Sequence, residues 1–102
     1  MNRYSRPRHT KPDANQSIIV TQCRALGMIV WDLHNCGGKV SDLLVIYRGR
    51  CVPVEVKAPG KRDDLTQGER DGQRECDDVG VKWCVAENLD DVLEAFGAKW
   101  DG

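Results

Sequence analysis

No stretch of this chain approaches the roughly 20 consecutive apolar residues that a membrane-spanning helix needs, so no membrane association is expected. The N-terminus lacks the apolar core of a secretory signal, and no export is expected. Cysteines stand at positions 23, 36, 51, 76 and 84, an odd number without a Cys-x-x-Cys pair. That argues against a disulfide framework or a zinc ribbon and for a reducing cytoplasm. His34, Cys36 and Cys23 match no zinc-ligand spacing, and no third residue suggests itself to orient a Cys–His nucleophile pair. Internal repeats and low-complexity tracts are missing too, so neither a solenoid nor a linker array is expected.

What is present is 102 residues, 40% hydrophobic and 30% charged, enough for one globular domain with a modest core. The net charge of −1 is unevenly spread. Arg3, Arg6, Arg8 and Lys11 occur in the first 11 residues without an acid. Residues 48–62 carry five basic side chains against Glu55 alone, and residues 63–94 are acidic on balance. Two basic patches on a near-neutral chain suit a phosphate backbone. Residues 1–13, polar and holding Pro7 and Pro12, read as a flexible basic arm, with a single domain over 14–102.

Along the chain, Asn15 is placed to cap a helix over about 16–26, with Ile18, Ile19, Cys23 and Leu26 apolar and Gly27 ending it. Residues 28–33 read as a strand. Residues 41–47 and 51–57 read as two strands joined through Arg48-Gly49-Arg50, a hairpin signal. Both are apolar on both faces, as in a sheet covered by helices. Pro53 predicts a bulge or an unpaired side, because it cannot donate to a ladder. Thr66-Gln67-Gly68-Glu69 has capping-box spacing and opens a helix reaching about Val79, poor in apolar residues and containing Gly68 and Gly72. Residues 81–86 form a strand, and Asn88 or Asp90 caps a last helix ended by Gly97. The order is α-β-β-β-α-β-α, a mixed sheet flanked by helices.

With Arg48-Gly49 as the central pair of the hairpin, Tyr47 faces Arg50, Val45 faces Val52 and Asp42 faces Glu55. Opposed residues share a face with Cβ atoms about 4.5–5.5 Å apart, and Lys57, two residues past Glu55, lies on that face as well. Two carboxylates close together in a dry setting share a proton or hold a cation. Hard oxygen ligands suit Mg²⁺ or Mn²⁺. Such an ion makes bound water more acidic and stabilises charge on a phosphoryl oxygen, so the constellation outlines metal-assisted phosphodiester hydrolysis. Lys57 would orient the water or neutralise developing charge. The blander expectation is a surface strand with Glu55 and Lys57 in water and Asp42 capping a turn.

Gly37-Gly38-Lys39-Val40-Ser41-Asp42-Leu43-Leu44-Val45, then Val54-Glu55-Val56-Lys57-Ala58-Pro59-Gly60, then Leu65-Thr66, resemble the PD-(D/E)xK nucleases. The nearest branch is the small stand-alone VRR-NUC type of phages and bacteria. The resemblance runs from about Asp13 to Phe96. It implies a restriction-endonuclease-like core, with Asp42, Glu55 and the Val56 carbonyl as ligands of Mg²⁺ or Mn²⁺ and Lys57 as the catalytic lysine. It also implies a homodimeric endonuclease acting on branched DNA such as four-way (Holliday) junctions, in the cytoplasm of a bacterium or a phage-infected cell.

Some positions depart from that pattern. Ser41 stands where a proline is usual. Ile18 or a neighbour stands where relatives carry a helix-one glutamate, with Asp13, Asn15 or Gln16 as substitutes. Glu69, with Gln73 one turn on, stands near the place of a glutamine beside the metal water, and Glu69 is also the natural capping-box partner of Thr66. Lys39, Lys61 and Arg62 are the candidate phosphate contacts. Trp31, Trp83 and Trp100 could stack bases, but the apolar strands around Trp31 and Trp83 assign both to the core, and Trp100 reads as an anchor for the C-terminus or a dimer contact. Cys51 and Cys84 read as small core hydrophobes. Two other functions compete: a DNA-binding module of the same fold that does not cut, and a protein-interaction domain in which Glu55 and Lys57 form an ion pair.

Overall fold

The computed structural model describes residues 14–97; the basic arm, Asp13 and Trp100 lie outside them. Within that range the order is α1 (Gln16–Ala25), β1 (Ile29–Asp32), β2 (Leu43–Tyr47), β3 (Arg50–Val56), α2 (Gln67–Asp78), β4 (Cys84–Ala86) and α3 (Leu89–Ala95). It is the expected α-β-β-β-α-β-α order. The four strands lie in the order β1-β2-β3-β4, with antiparallel β1–β2 and β2–β3 pairs and a parallel β3–β4 pair. A parallel pair needs a crossover, and α2 supplies it. No helix among the described residues is long and apolar enough to cross a membrane.

The hairpin forms in the expected register, Tyr47 opposite Arg50 and Val45 opposite Val52. Arg48 (φ 50°) and Gly49 (φ 75°) both have positive φ, the type I′ geometry whose twist matches the flanking strands. Pro53 sits opposite Leu44 with no bulge. A two-residue loop makes Tyr47–Arg50 the closing hydrogen-bonded pair, so the nitrogen of Pro53 points away from β2. On that other side β4 begins only at Cys84, opposite Val54, and no ladder bond is lost.

Alternation divides β2 and β3 into two faces. Leu43, Val45, Val52, Val54 and Val56 point to one face and are all buried, together with Val30 of β1. Ile19 and Cys23 of α1 and Val92, Leu93 and Ala95 of α3 close the core over them. The other face carries Ile29, Trp31, Leu44, Ile46, Cys51, Pro53 and Glu55, and Glu69 of α2 reaches Lys57 at its far end.

The expectation of apolar cover on both faces is therefore corrected. Trp31 is 55% exposed and Ile29 54% exposed, whereas the crossover helix packs on the 38–39 backbone and the Trp83 ring. Cys51, on the same face, is exposed, whereas Trp83 and Cys84 are buried as expected.

Two local expectations meet different outcomes. Thr66 forms the full capping box with Glu69, and Asn88 caps α3 by accepting from the Asp91 N–H at 3.0 Å. Asn15 makes no side-chain cap on α1. Its amide instead donates to the backbone carbonyls of Lys57 (2.9 Å) and Glu87 (2.8 Å). This ties the start of α1 to the ends of β3 and β4, where the candidate residues gather.

The two glycines of α2, which weaken it as an isolated helix, are what let it dock. A Cβ on Gly68 would stand 2.8 Å from the Gly38 carbonyl oxygen, and one on Gly72 would stand 2.3 Å from that of Lys39. The helix lies directly on the 38–39 backbone, and the rim of the Trp83 ring is 3.1 Å from the Gly72 position. Close approach through glycine replaces the apolar stripe a surface helix usually presents.

Candidate active site

Continuing the β2–β3 register by one pair from Leu43–Val54 sets Asp42 opposite Glu55. Both side chains are buried, at 4% and 2% exposure. That excludes the bland reading of a solvated strand carrying these acids. β2 has ended at Asp42, and its carboxylate takes over the ladder: Oδ2 accepts from the Val56 N–H at 3.0 Å. N–H and C=O of one strand residue point to the same side, so the Val56 carbonyl also leaves β3 toward Asp42.

Lys57 follows β3 directly, anchored by its N–H to the Ala86 carbonyl at 2.9 Å. Its side chain is only 14% exposed, and the ammonium lies 3.0 Å from Oε1 of Glu69. The same Glu69 oxygen accepts from the Thr66 N–H at 2.9 Å, while the Glu69 N–H donates to Thr66 Oγ1 at 3.1 Å. Of the two roles foreseen for Glu69, the capping box forms; the same side chain also holds Lys57, a contact the sequence did not indicate.

Burial would raise the Glu69 carboxyl, but the Thr66 N–H, the Lys57 ammonium and a hydrogen bond with Glu55 outweigh it and leave the group below its ordinary value. Glu69 of α2 therefore acts beside Glu55 and Lys57 at the end of β3.

The other expected residues distribute as follows. Gln73 is half-buried, one helical turn beyond Glu69 on the same side of α2. Lys39 is ion-paired with Glu75 of α2, and Lys61 is exposed in the turn after β3. Arg62 reaches Asp91 at 3.0 Å and Glu87 at 3.5 Å, so it braces the loop against the start of α3. Ile18 is 58% exposed on α1. Gln16 is buried at 3% exposure, and Asn15 is the α1-end residue that contacts Lys57, through its backbone. Sequence reasoning missed that contact; an Asn read only as a cap hides its capacity to bridge two strand ends.

Compared with family models, curated proteins and solved structures, the chain matches none of them. The functional reading therefore rests on the residues themselves. Among the described residues, no three His, Cys, Asp or Glu side chains are grouped to hold a metal ion. A divalent ion here would rest on two carboxylates, a backbone oxygen and water, which is the ligand economy Mg²⁺ commonly has.

Proposed function

We propose that this protein is a metal-dependent DNA endonuclease with a restriction-endonuclease-like core, selective for branched DNA such as four-way junctions. The supporting observation is that Asp42 and Glu55 are both buried just past the last β2–β3 pair, Leu43–Val54, with Asp42 bonded to the Val56 N–H and Lys57 next in the chain. Asp42, Glu55 and the Val56 carbonyl would hold Mg²⁺ or Mn²⁺. The ion supplies Lewis acidity toward the scissile phosphate and a more acidic bound water. Lys57 directs a positive charge at the reacting phosphate, and Glu69 fixes the direction of that ammonium. Lys39 and Lys61 would contact phosphates beside the scissile one. A homodimer would give one catalytic centre to each of two strands, and the cytoplasm of a bacterial or phage-infected cell is the setting proposed for it.

Incubation of the full chain with a labelled four-way junction and Mg²⁺ or Mn²⁺ tests this reading. Metal-dependent cleavage that disappears in Lys57→Ala is expected. A junction left intact by the wild type at all metal concentrations rejects it.

A second reading, a DNA-binding module of the same architecture, is favoured by one observation. The start of α1 brings the amide of Asn15 to the site, tied to two backbone carbonyls, where the resemblance calls for an acid. A gel shift with no cleavage decides for the module. A monomer by light scattering at working concentration rejects the dimer.

A further inference from the structure

Trp31 is an indole 55% exposed on a regular strand, placed there by the pleat rather than by a loop. Leu33, the residue after β1, donates its N–H to the Asp42 carbonyl at 2.7 Å, which continues the β1–β2 register and opposes Leu33 to Asp42. Trp31, two residues earlier, is then the diagonal neighbour of Asp42 on the same face. Diagonal neighbours lie about 7–8 Å apart, close to two base steps of about 3.4 Å along one strand of a duplex. Around the indole the face is apolar: Leu44 opposes it, and Ile29 (54% exposed) and Ile46 form the next row. Leu44 and Ile46 are partly exposed.

From this juxtaposition we infer that Trp31 is the stacking platform for an unpaired nucleobase one or two nucleotides from the scissile phosphate, and so a determinant of selectivity for DNA with bases out of the duplex. The inference rests on the proposed nuclease reading. A strand whose phosphate sits over Asp42, Glu55 and Lys57 must continue across an adjacent row of the same face, and one such row carries Trp31. A paired base buries both of its faces in the duplex stack and has none to offer an indole. An extruded or single-stranded base does, and aromatic stacking accepts any of the four bases.

The open edge of β1 is a poor seat for another strand, which removes one competing occupant. The Leu33–Asp42 bond sets the parity by which the Val30 N–H and C=O point outward, and Arg24 already donates to the Val30 carbonyl at 2.9 Å. A guanidinium on an outward carbonyl blunts sheet extension by a second copy.

The test is binding by fluorescence anisotropy in the non-cutting Lys57→Ala background, with Trp31 intact, Trp31→Phe and Trp31→Ala. The probes are a junction with unpaired bases at its branch and a fully paired duplex of the same length. Trp31→Ala is expected to bind the unpaired-base probe about 5- to 100-fold more weakly, Trp31→Phe to keep most of the affinity, and duplex binding to stay unchanged. An abasic residue beside the branch should weaken the intact protein by a similar factor and the Trp31→Ala protein hardly at all. Equal losses on both probes, no loss on either, or independent effects of the abasic residue and Trp31→Ala overturn the inference while wild-type cleavage leaves the nuclease reading standing. Failure of the wild type to bind any DNA removes both. If Trp31→Ala instead turns a dimer into a monomer in light scattering, the face is a subunit contact and the inference is wrong. Thermal melts within a few degrees of each other confirm that the variants fold.

Discussion

The Lys57 ammonium stands 3.0 Å from the Glu69 carboxylate, and that same oxygen receives the Thr66 N–H. One residue of the crossover helix thereby terminates its own helix and orients the base of β3. Glu69→Ala removes both functions and leaves a largely buried ammonium without this partner. A loss of about 3 kcal/mol in folding stability is expected, read by urea unfolding. A loss under half a kcal/mol would mean that the pair is not maintained in solution.

Glu69 also sets a pH dependence. Its carboxyl is held below the ordinary value of 4.5 in the fold. A depressed carboxyl adds stability that is complete above the unfolded value and is lost as pH falls through the folded one. The advantage of the wild type over Glu69→Gln should be full at pH 7 and shrink as the pH drops below 4.5. Denaturant melts of the two proteins from pH 7 to pH 3 measure it; a constant difference contradicts the assignment.

Gly72 offers a reversal of sign. Glycine to alanine inside an exposed helix ordinarily gains up to about 1 kcal/mol. Here the added Cβ would meet the Lys39 carbonyl oxygen at 2.3 Å, and backbone cannot swing aside as a side-chain tip can. Gly72→Ala should destabilise by about 1–3 kcal/mol and, because it lifts Glu69 from Lys57, reduce any cleavage as well. Stabilisation in a thermal melt would show that α2 does not lie on the 38–39 backbone.

Asp42 separates structure from chemistry. Its Oδ2 satisfies the buried Val56 N–H. Asp42→Asn keeps an acceptor oxygen and should fold nearly as well as the wild type, yet cleave at least about a hundredfold more slowly if the metal reading holds. Asp42→Ala leaves the N–H unsatisfied and costs about 1–3 kcal/mol in addition. Cleavage by Asp42→Asn at the wild-type rate would remove Asp42 from the chemistry.

The five thiols should divide by burial. Desolvation pushes Cys23 up to about 11 and Cys84 up to about 12, so neither forms a thiolate at pH 8 in the fold. Cys36 and Cys51 are exposed, and Cys76 is half-buried. A disulfide-exchange reagent at pH 8 should titrate Cys36 and Cys51 rapidly, Cys76 more slowly, and Cys23 and Cys84 only after unfolding. Five equally fast thiols would contradict the packing of α1 and β4.

Much of this was readable in one dimension. Glycine at 49 after Arg48 fixes a two-residue turn, a two-residue turn fixes the register, and the register alone sets Asp42 against Glu55 with Lys57 on the same face. The Thr66–Glu69 spacing likewise specifies the start of α2 without help from distant contacts. These are short-range constraints, carried by backbone geometry that neighbouring residues determine among themselves. The chain order does not say which apolar strand residues will be covered: Trp31 and Trp83 sit in similar apolar runs, and only the tertiary structure leaves one open and sets the other against the crossover helix. Nor does it say that Asn15 would abandon its cap for two strand ends, that Gly68 and Gly72 would serve as a docking surface, or that Glu69 would meet Lys57. Each of those depends on where segments far apart in sequence come to rest, and that is settled by packing across the whole domain.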